Sequence, residues 1–215
     1  MIILGLTGSI GMGKSTAADM LRAMGVPVND SDANIHLLLA KGGGAVDPVR
    51  RAFEGVVAKG AVDRAALGAL VFGDADALKK LESILHPMVS RIQDSFLKQA
   101  AGRHAPLVVL DVPLLFEVGT DRRCDATVVL TAPRFLQEIR VLRRPGMTHK
   151  KFEGVLARQL PDAEKRRRAD FVVQTGNGRR HTLNHLRWIV TLMGQQGGAN
   201  WPPSARRQRT VNDLA

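Results

Sequence analysis

The stretch that decides the fold lies at the start of the chain, where residues 2–15 read IILGLTGSIGMGKS. Its first six residues, Ile2 to Thr7, have the composition of a short buried strand. From Gly8 to Ser15 the residues satisfy the pattern G-x-x-x-x-G-K-[ST], and a helical spacing of apolar residues then runs to Gly25. A glycine-rich turn between a strand and a helix is the setting in which this pattern forms a phosphate-binding loop. The opening residues therefore predict an α/β nucleotide-binding fold.

The chemistry of this loop follows from its residue types. Glycines let the backbone turn with its N–H groups pointing inward, so that donors at a helix N-terminus can hold phosphates. Lys14 is placed to reach the β- and γ-phosphates of a nucleotide, and the Ser15 hydroxyl to ligate Mg²⁺. The alternative is a glycine-rich turn with an exposed lysine, which the flanking strand and helix disfavour. The loop residues predicted to bind nucleotide are Gly8, Ser9, Ile10, Gly11, Met12, Gly13, Lys14, Ser15 and Thr16.

Further strand patterns predict the architecture of the core. They lie at residues 26–28, 107–111, 126–130 and, more weakly, 171–173. Their apolar residues are continuous rather than alternating, which is typical of a parallel sheet with helices on both faces. Residues 35–101 carry helical spacings and no strong strand, so we expect a helical insertion there, with Pro87 in the first turn of one helix. Later helices are predicted at 134–144, 148–159, 162–168 and 179–193.

Composition limits the classes of function. The 215 residues are 45% hydrophobic, as in a globular domain, and no apolar run is long enough to span a membrane. The N-terminus lacks a basic leader and Cys124 is the single cysteine, so we expect a cytoplasmic protein without a disulfide. The net charge of +11 comes almost entirely from residues 101–215. Only 4% of residues are aromatic and none is Tyr, so anionic small molecules explain this charge better than nucleic acid.

Carboxylates follow two of the predicted strands. Asp111 closes the third strand, where its side chain can reach a metal or its water shell, or else cap a turn. Asn29-Asp30-Ser31-Asp32 follows the second strand. Taken alone, this cluster favours a cap for the next helix.

These residues resemble one family, the dephospho-CoA kinases. The resemblance rests on the loop at 6–16, on Asp30-Ser31-Asp32, on Leu85-His86-Pro87 and on the heptapeptide DVPLLFE at 111–117, and it covers nearly the whole chain. It implies a kinase that transfers a phosphoryl group from ATP to the 3′-hydroxyl of dephospho-CoA, the last step of coenzyme A synthesis. Mg²⁺ is the implied cofactor, with Ser15 and Asp111 as its ligands.

The resemblance also implies individual roles. Asp32 matches the aspartate that accepts the proton of the attacking hydroxyl, and Lys14 and Arg140 complete the implied catalytic set. Arg140 and Arg144 match arginines at the start of the family's lid; four residues apart on a helix, they would share one face and clamp the ATP phosphates. The run at 165–168 is expected to be in part a solvated basic surface. Residues implied on the dephospho-CoA side are Asp32, His86, Pro113, Leu114, Leu115, Phe116 and Glu117. The alternative for His86 is a structural cap at a helix start, and for the last five it is core packing.

The predicted organisation has three parts and a tail. The nucleotide-binding core takes residues 1–34 and 102–195, with a lid at about 140–168, and the insertion at 35–101 is predicted to bind the acceptor. Residues 196–215 are predicted to form a flexible tail. Two other functions remain open from the residues alone: a nucleoside or nucleotide kinase, and a P-loop ATPase that binds nucleic acid through the basic C-terminal half.

Overall fold

The computed structural model describes residues 1–202, and predicted tail residues 203–215 lie outside this part of the chain. The described strands are β1 (Ile2–Thr7), β2 (Val28–Asp30), β3 (Val57–Ala58), β4 (Ala61–Val62), β5 (Leu107–Asp111), β6 (Ala126–Thr131) and β7 (Phe171–Gln174). The described helices are α1 (Lys14–Ala23), α2 (Ser31–Leu39), α3 (Val46–Ala52), α4 (Arg64–Val71), α5 (Ala75–Gly102), α6 (Arg134–Leu142), α7 (His149–Leu156), α8 (Asp162–Arg168) and α9 (Arg179–Gly194), with a 3₁₀ turn at Thr120–Arg123.

The chain divides into two compact units. The first contains Met1–Asn29 and the described residues from Gln99 onward, and the second contains Asp30–Lys98. The predicted insertion at 35–101 overlaps the second unit.

The first unit is built on a five-stranded sheet in the order β2-β5-β1-β6-β7. Strand β1 pairs in parallel with β5 and β6, and β7 pairs in parallel with β6. Every residue of β1, β5 and β6 is buried. Because neither face of these strands meets water, their sequences are continuously apolar, and the predicted α/β fold with a parallel sheet is confirmed.

Helix α1 covers this sheet through a periodic apolar face. Ala17, Ala18 and Leu21 are almost completely buried and belong to the same core as Leu4 and Leu6 of β1. The helix ends where predicted, since Met24 caps it and Gly25 follows in a left-handed conformation with a φ of 79°.

The second unit has its own apolar core around Leu39, Val49, Val56 and Leu67. It also contains a short antiparallel hairpin that the sequence did not predict, in which Val57 pairs with Val62. Each strand has two residues, which is too short for an alternating pattern to be visible. The turn requires positive φ at Lys59 (52°) and Gly60 (80°), and lysine is an unusual residue for that position.

Helix α5 contradicts a predicted boundary. It runs without interruption through Pro87, which therefore does not begin a helix. Proline has no N–H to donate to the carbonyl of Ser83, four residues earlier. Both residues are exposed, so water can bind that carbonyl and the helix continues.

The end of the described chain packs beside the sheet. The backbone N–H groups of Ala199 and Asn200 donate to Asp125 Oδ1 at 2.8 and 2.9 Å, and the Asn200 side chain donates to the Cys124 carbonyl at 2.9 Å. Within residues 1–202, no helix combines the length and apolar character needed to cross a bilayer.

Candidate active site

The loop after β1 and the first three residues of α1, together residues 8–16, form a cradle of backbone amides. Gly13 caps the helix in a left-handed conformation with a φ of 87°. Gly11 also has positive φ (79°), and a Cβ there would lie 2.6 Å from Val141 Cγ2. Both positions therefore require glycine, and the helix start and its dipole face any anion held in the cradle.

Lys14 and Asp111 meet beside the cradle. Their strands are neighbours, with Leu6 of β1 in register with Asp111, so the carboxylate at the end of β5 lies next to the loop that follows β1. Lys14 Nζ lies 2.7 Å from Asp111 Oδ1, and the Asp111 side chain is only 1% exposed. An ammonium group has three N–H donors, so Lys14 can bind Asp111 and a phosphate oxygen together.

The oxygen atoms available near the cradle suit magnesium. Asp111 supplies a buried carboxylate, and Ser15 supplies an exposed hydroxyl in the first turn of α1. Among the described residues there is no cluster of three or more His, Cys, Asp or Glu side chains that could hold a metal alone. Mg²⁺ in nucleotide sites needs only one or two protein oxygens because phosphates and water complete its shell, so these residues fit the ion.

Arg140 contacts the cradle directly. Its guanidinium donates to the Gly11 carbonyl at 3.4 Å and to Thr175 Oγ1 and the Thr175 carbonyl at 3.0 Å each. Buried Thr175 in turn donates to the Met12 carbonyl at 2.9 Å. Arg140 therefore ties the loop after β7 to the cradle and places a permanent cation there.

Arg144 does not share a helix face with Arg140, so that prediction is wrong. Helix α6 ends at Leu142, and exposed Arg144 lies in the turn that follows. The cause is Pro145, which disfavours helical backbone in the residue before it. The structure thus brings one of the two predicted arginines to the cradle.

Two glutamines that the sequence analysis did not single out hold Ile10 of the cradle. Gln137 Nε2 donates to the Ile10 carbonyl at 2.7 Å, and Gln159 Oε1 accepts from the Ile10 N–H at 3.1 Å. Gln137 is 2% exposed, and it lies one helical turn before buried Val141 on α6. A polar residue on a buried helix face was the available signal for Gln137, whereas nothing around Gln159 in the sequence marked it.

A cavity of about 660 Å³ opens beside the cradle. This size is within the range of small-molecule sites. Its lining combines apolar surface from Pro133 and Leu156 with the polar side chains of Ser9, Gln137 and Gln159.

The heptapeptide 111–117 is mostly internal. Leu115 is fully buried and packs closely on Gly5, and Phe116 is buried with the Arg168 guanidinium 4.7 Å from its ring centre. These contacts agree with the core-packing alternative, while Pro113 and Leu114 are half-buried. A role for these residues in binding the acceptor stays a prediction.

Glu117, the last residue of the heptapeptide, forms a buried ion pair. Its Oε1 lies 2.9 Å from Lys165 Nζ and accepts from the Leu160 N–H at 2.8 Å. Lys165 also donates to the Pro113 carbonyl at 3.2 Å and has no exposed side-chain surface. The expectation of a solvated basic surface at 165–168 is therefore wrong for Lys165, although its three arginine neighbours are exposed.

In the second unit, the capping role falls to Asp30 rather than Asp32. Asp30 accepts the capping hydrogen bond from the Ala33 N–H at 3.0 Å, and Asp32 is exposed in the first turn of α2. His86 is exposed within α5, so it does not cap a helix start.

Comparisons with known proteins agree on one family. A sequence model described as dephospho-CoA kinase matches residues 2–180. The chain is 58% identical to the dephospho-CoA kinase of Paramagnetospirillum magneticum, over 90% of this chain and 91% of the relative. It is 52% identical to that of Mesorhizobium japonicum, over 92% of this chain and 100% of the relative. A Thermus thermophilus protein of known crystal structure is 37% identical with a TM-score of 0.79, over 91% of this chain and 98% of that one.

Proposed function

This chain belongs to the dephospho-CoA kinase family, and we propose from that premise how its residues carry out the reaction. The chain is an ATP-dependent kinase that phosphorylates dephospho-CoA in coenzyme A biosynthesis. The acceptor atom in our proposal is the 3′-hydroxyl. Two other functions were left open by the residues alone, a nucleotide kinase and a nucleic-acid-binding ATPase. Relatives more than 50% identical over most of the chain do not favour either of them.

The cradle, residues 8–16, binds the ATP phosphates. Its amides lie at the N-terminus of α1, and positive φ at Gly11 and Gly13 shapes the turn. The single observation that carries this proposal is the 2.7 Å contact between Lys14 Nζ and buried Asp111, because it fixes a cation beside that turn. From there the ammonium can stabilise charge that develops during phosphoryl transfer.

Ser15 and Asp111 hold Mg²⁺ in this proposal. The bound ion supplies neutralisation of phosphate charge. Asp111 then has two tasks, orienting the Lys14 ammonium and offering an oxygen to the metal. Its burial at the end of β5 keeps the carboxylate in one orientation for both.

Arg140 and Arg144 contribute unequally. Arg140 is already fixed at the Gly11 carbonyl, so its guanidinium can reach phosphate oxygens with little loss of conformational freedom. Arg144 is exposed beyond the end of α6 and would have to give up more side-chain entropy to bind phosphate.

Asp32 accepts the proton of the attacking hydroxyl. The support is that Asp30 provides the capping hydrogen bond of α2, which leaves the exposed Asp32 carboxylate available for this task. Proton removal is a smaller contribution than positioning and charge stabilisation in phosphoryl transfer. His86, Pro113 and Leu114, all with exposed surface, are proposed to contact dephospho-CoA.

The activity is tested by incubating the protein with ATP, Mg²⁺ and dephospho-CoA and detecting the product by mass spectrometry. We expect dephospho-CoA to gain one phosphoryl group on its 3′-hydroxyl as ADP is released. Adenosine, AMP and DNA replace dephospho-CoA in parallel reactions. A faster turnover with a nucleoside or nucleotide acceptor, or ATP hydrolysis that only DNA stimulates, would contradict the proposal.

The role of Asp32 is tested with Asp32→Asn. Its kcat is expected to fall on the order of a hundredfold, with the KM for ATP within about twofold of wild type. Asp76→Asn is the matched control, because Asp76 is also an exposed aspartate in the first turn of a helix. An Asp32→Asn enzyme with unchanged kcat would remove Asp32 from the mechanism.

A further inference from the structure

The peptide groups on both sides of Ile10 are held from outside the cradle. Gln159 Oε1 binds the N–H of the peptide that enters Ile10, and Gln137 Nε2 binds the carbonyl of the peptide that leaves it. The next residue, Gly11, imposes little steric restriction on the backbone. These two side chains therefore restrict a part of the cradle that glycine leaves free to rotate.

The amide orientations of both glutamines follow from their partners. Ile10 N–H can only donate, so Gln159 must present its oxygen. Gln137 Oε1 accepts from the Arg134 guanidinium at 3.4 Å, which leaves its Nε2 to donate to Ile10. Neither contact survives a flip of the side-chain amide, so the geometry specifies glutamine chemistry at both positions.

Gln159 lies in the α7–α8 connector, residues 157–161, and this connector is itself held by hydrogen bonds. The Gln159 N–H donates to the Leu156 carbonyl at 3.0 Å. The next N–H, that of Leu160, donates to Glu117 Oε1 at 2.8 Å. Buried Lys165 neutralises the same Glu117 oxygen and also binds the Pro113 carbonyl. A hydrogen-bonded path thus runs from the heptapeptide 111–117 through the connector to Ile10.

We propose that Gln159 is a positioning residue for the phosphate cradle and that the Glu117–Lys165 pair holds Gln159 in place. Gln159 acts through the Ile10 amide and need not touch the substrate. Its contribution is to keep the cradle N–H groups directed at phosphate, which lowers the ordering needed when ATP binds. Glu117 then has a task unlike the acceptor contact implied by resemblance. This inference rests on the proposed nucleotide site.

The first test replaces Gln159 by Met, which has a similar length and lacks the acceptor oxygen. Loss of one such hydrogen bond should raise the KM for ATP about five- to tenfold, with the KM for dephospho-CoA unchanged within about twofold. Thermal unfolding should match that of Gln99→Met, the control at an exposed glutamine on α5. A residue that only stabilised the fold would lower the unfolding temperature and leave the KM for ATP unchanged, and that result would overturn the proposal.

The second test asks whether the Glu117–Lys165 pair acts through Gln159. Replacing both by Met avoids leaving one charge buried and unpaired. This double variant should raise the KM for ATP, and Gln159→Met added to it should raise the KM no further. Fully additive effects would mean that the pair does not act through Gln159.

A Lys14→Met enzyme is measured alongside to separate the two claims. If it retains wild-type turnover, the proposed nucleotide site itself is wrong. If it is inactive while Gln159→Met keeps the wild-type KM for ATP, only the positioning role fails.

Discussion

Two lysine–carboxylate pairs lie at the two ends of the heptapeptide 111–117. In one pair the carboxylate is the more buried partner, and in the other it is the lysine. In the first pair, the Lys14 side chain keeps 15% of its surface exposed and Asp111 keeps 1%. In the second pair, Lys165 has no exposed surface and Glu117 keeps 15%. The N–O distances, 2.7 and 2.9 Å, are nearly the same.

The difference lies in what else each ammonium group can bind. Lys14 projects from the first turn of α1 beside the cradle, and its partly exposed side chain can accept a second anionic partner. Lys165 is enclosed, and it already binds both Glu117 and the Pro113 carbonyl. Two pairs with similar contact distances therefore differ: the first leaves its ammonium group able to bind a further anion, and the second has its ammonium group enclosed by the chain.

The largest expected effect belongs to the Lys14 pair. Lys14→Met removes the cation beside the cradle, so kcat/KM should fall on the order of a thousandfold. The melting temperature should fall as well, because the substitution leaves the Asp111 carboxylate, only 1% exposed, without its counter-ion, so the rates are measured at a temperature at which the variant is folded. Initial rates and circular-dichroism melting measure the two quantities.

Lys98→Met, at an exposed lysine of α5, is the control for this substitution. An active Lys14→Met enzyme, or one that loses activity only because it unfolds, would erase the distinction between the two pairs.

For Lys165→Met the main expected loss is in stability, because this fully buried lysine lies outside the cradle. The substitution leaves the Glu117 carboxylate without its counter-ion, so the free energy of unfolding should fall by about 3 kcal/mol. Urea unfolding measures the change, and Lys79→Met on the exposed face of α5 should stay within about 0.5 kcal/mol of wild type. If Lys165→Met were as stable as its control, the buried pair would not anchor the segment.

The sequence marked Lys14 and Asp111 separately as candidate site residues without predicting the contact between them, and it did not predict the burial of Lys165. Lys14 belongs to a contiguous motif, and Asp111 ends an apolar strand, so each could be assigned from its neighbours. Lys165 stands in the run Lys165–Arg168, where charge alone suggested a solvated surface. Its burial depends on Glu117, 48 residues earlier, and no local pattern encodes that pairing.

Local sequence patterns predict single elements, and they do not predict contacts between distant residues or the exposure of a turn. The bounds of β1 and β5 were predicted correctly, because burial on both faces leaves a continuous apolar run. The contact between Gln159 and Ile10 joins residues 149 positions apart, and it became visible only in three dimensions. Helix α5 continued through Pro87 because that turn is exposed, which the local sequence does not reveal.

The thiol of Cys124 is a third buried ionisable group, and its burial predicts a dependence of stability on pH. Burial raises the pKa of its thiol to about 12, against a smaller opposing effect of Arg123. The unfolded thiol ionises near its ordinary pKa while the folded thiol stays protonated, so the unfolded state binds fewer protons between these values. Stability should therefore fall above about pH 9, by up to about 1.4 kcal/mol per pH unit.

The measurement is urea unfolding at pH 8 and pH 10 for the wild type and Cys124→Ala. The alanine variant should lose less stability between the two pH values. Equal losses would mean that the thiol ionises in the folded protein as easily as in the unfolded chain.

The smallest effect is expected when Glu117 and Lys165 are both replaced by Met. A buried ion pair gains Coulomb energy but loses the hydration of both charges, so apolar side chains of similar size can replace it with a change of only about 1 kcal/mol. The two Met side chains have volumes similar to those of the residues that they replace. The Leu160 N–H loses its acceptor at a half-buried position, where water can replace it. Urea unfolding of this variant beside Lys165→Met gives the decisive comparison. If the double variant were as unstable as Lys165→Met, the ion pair itself would stabilise the fold. The instability of Lys165→Met would then not come only from leaving the Glu117 charge unpaired.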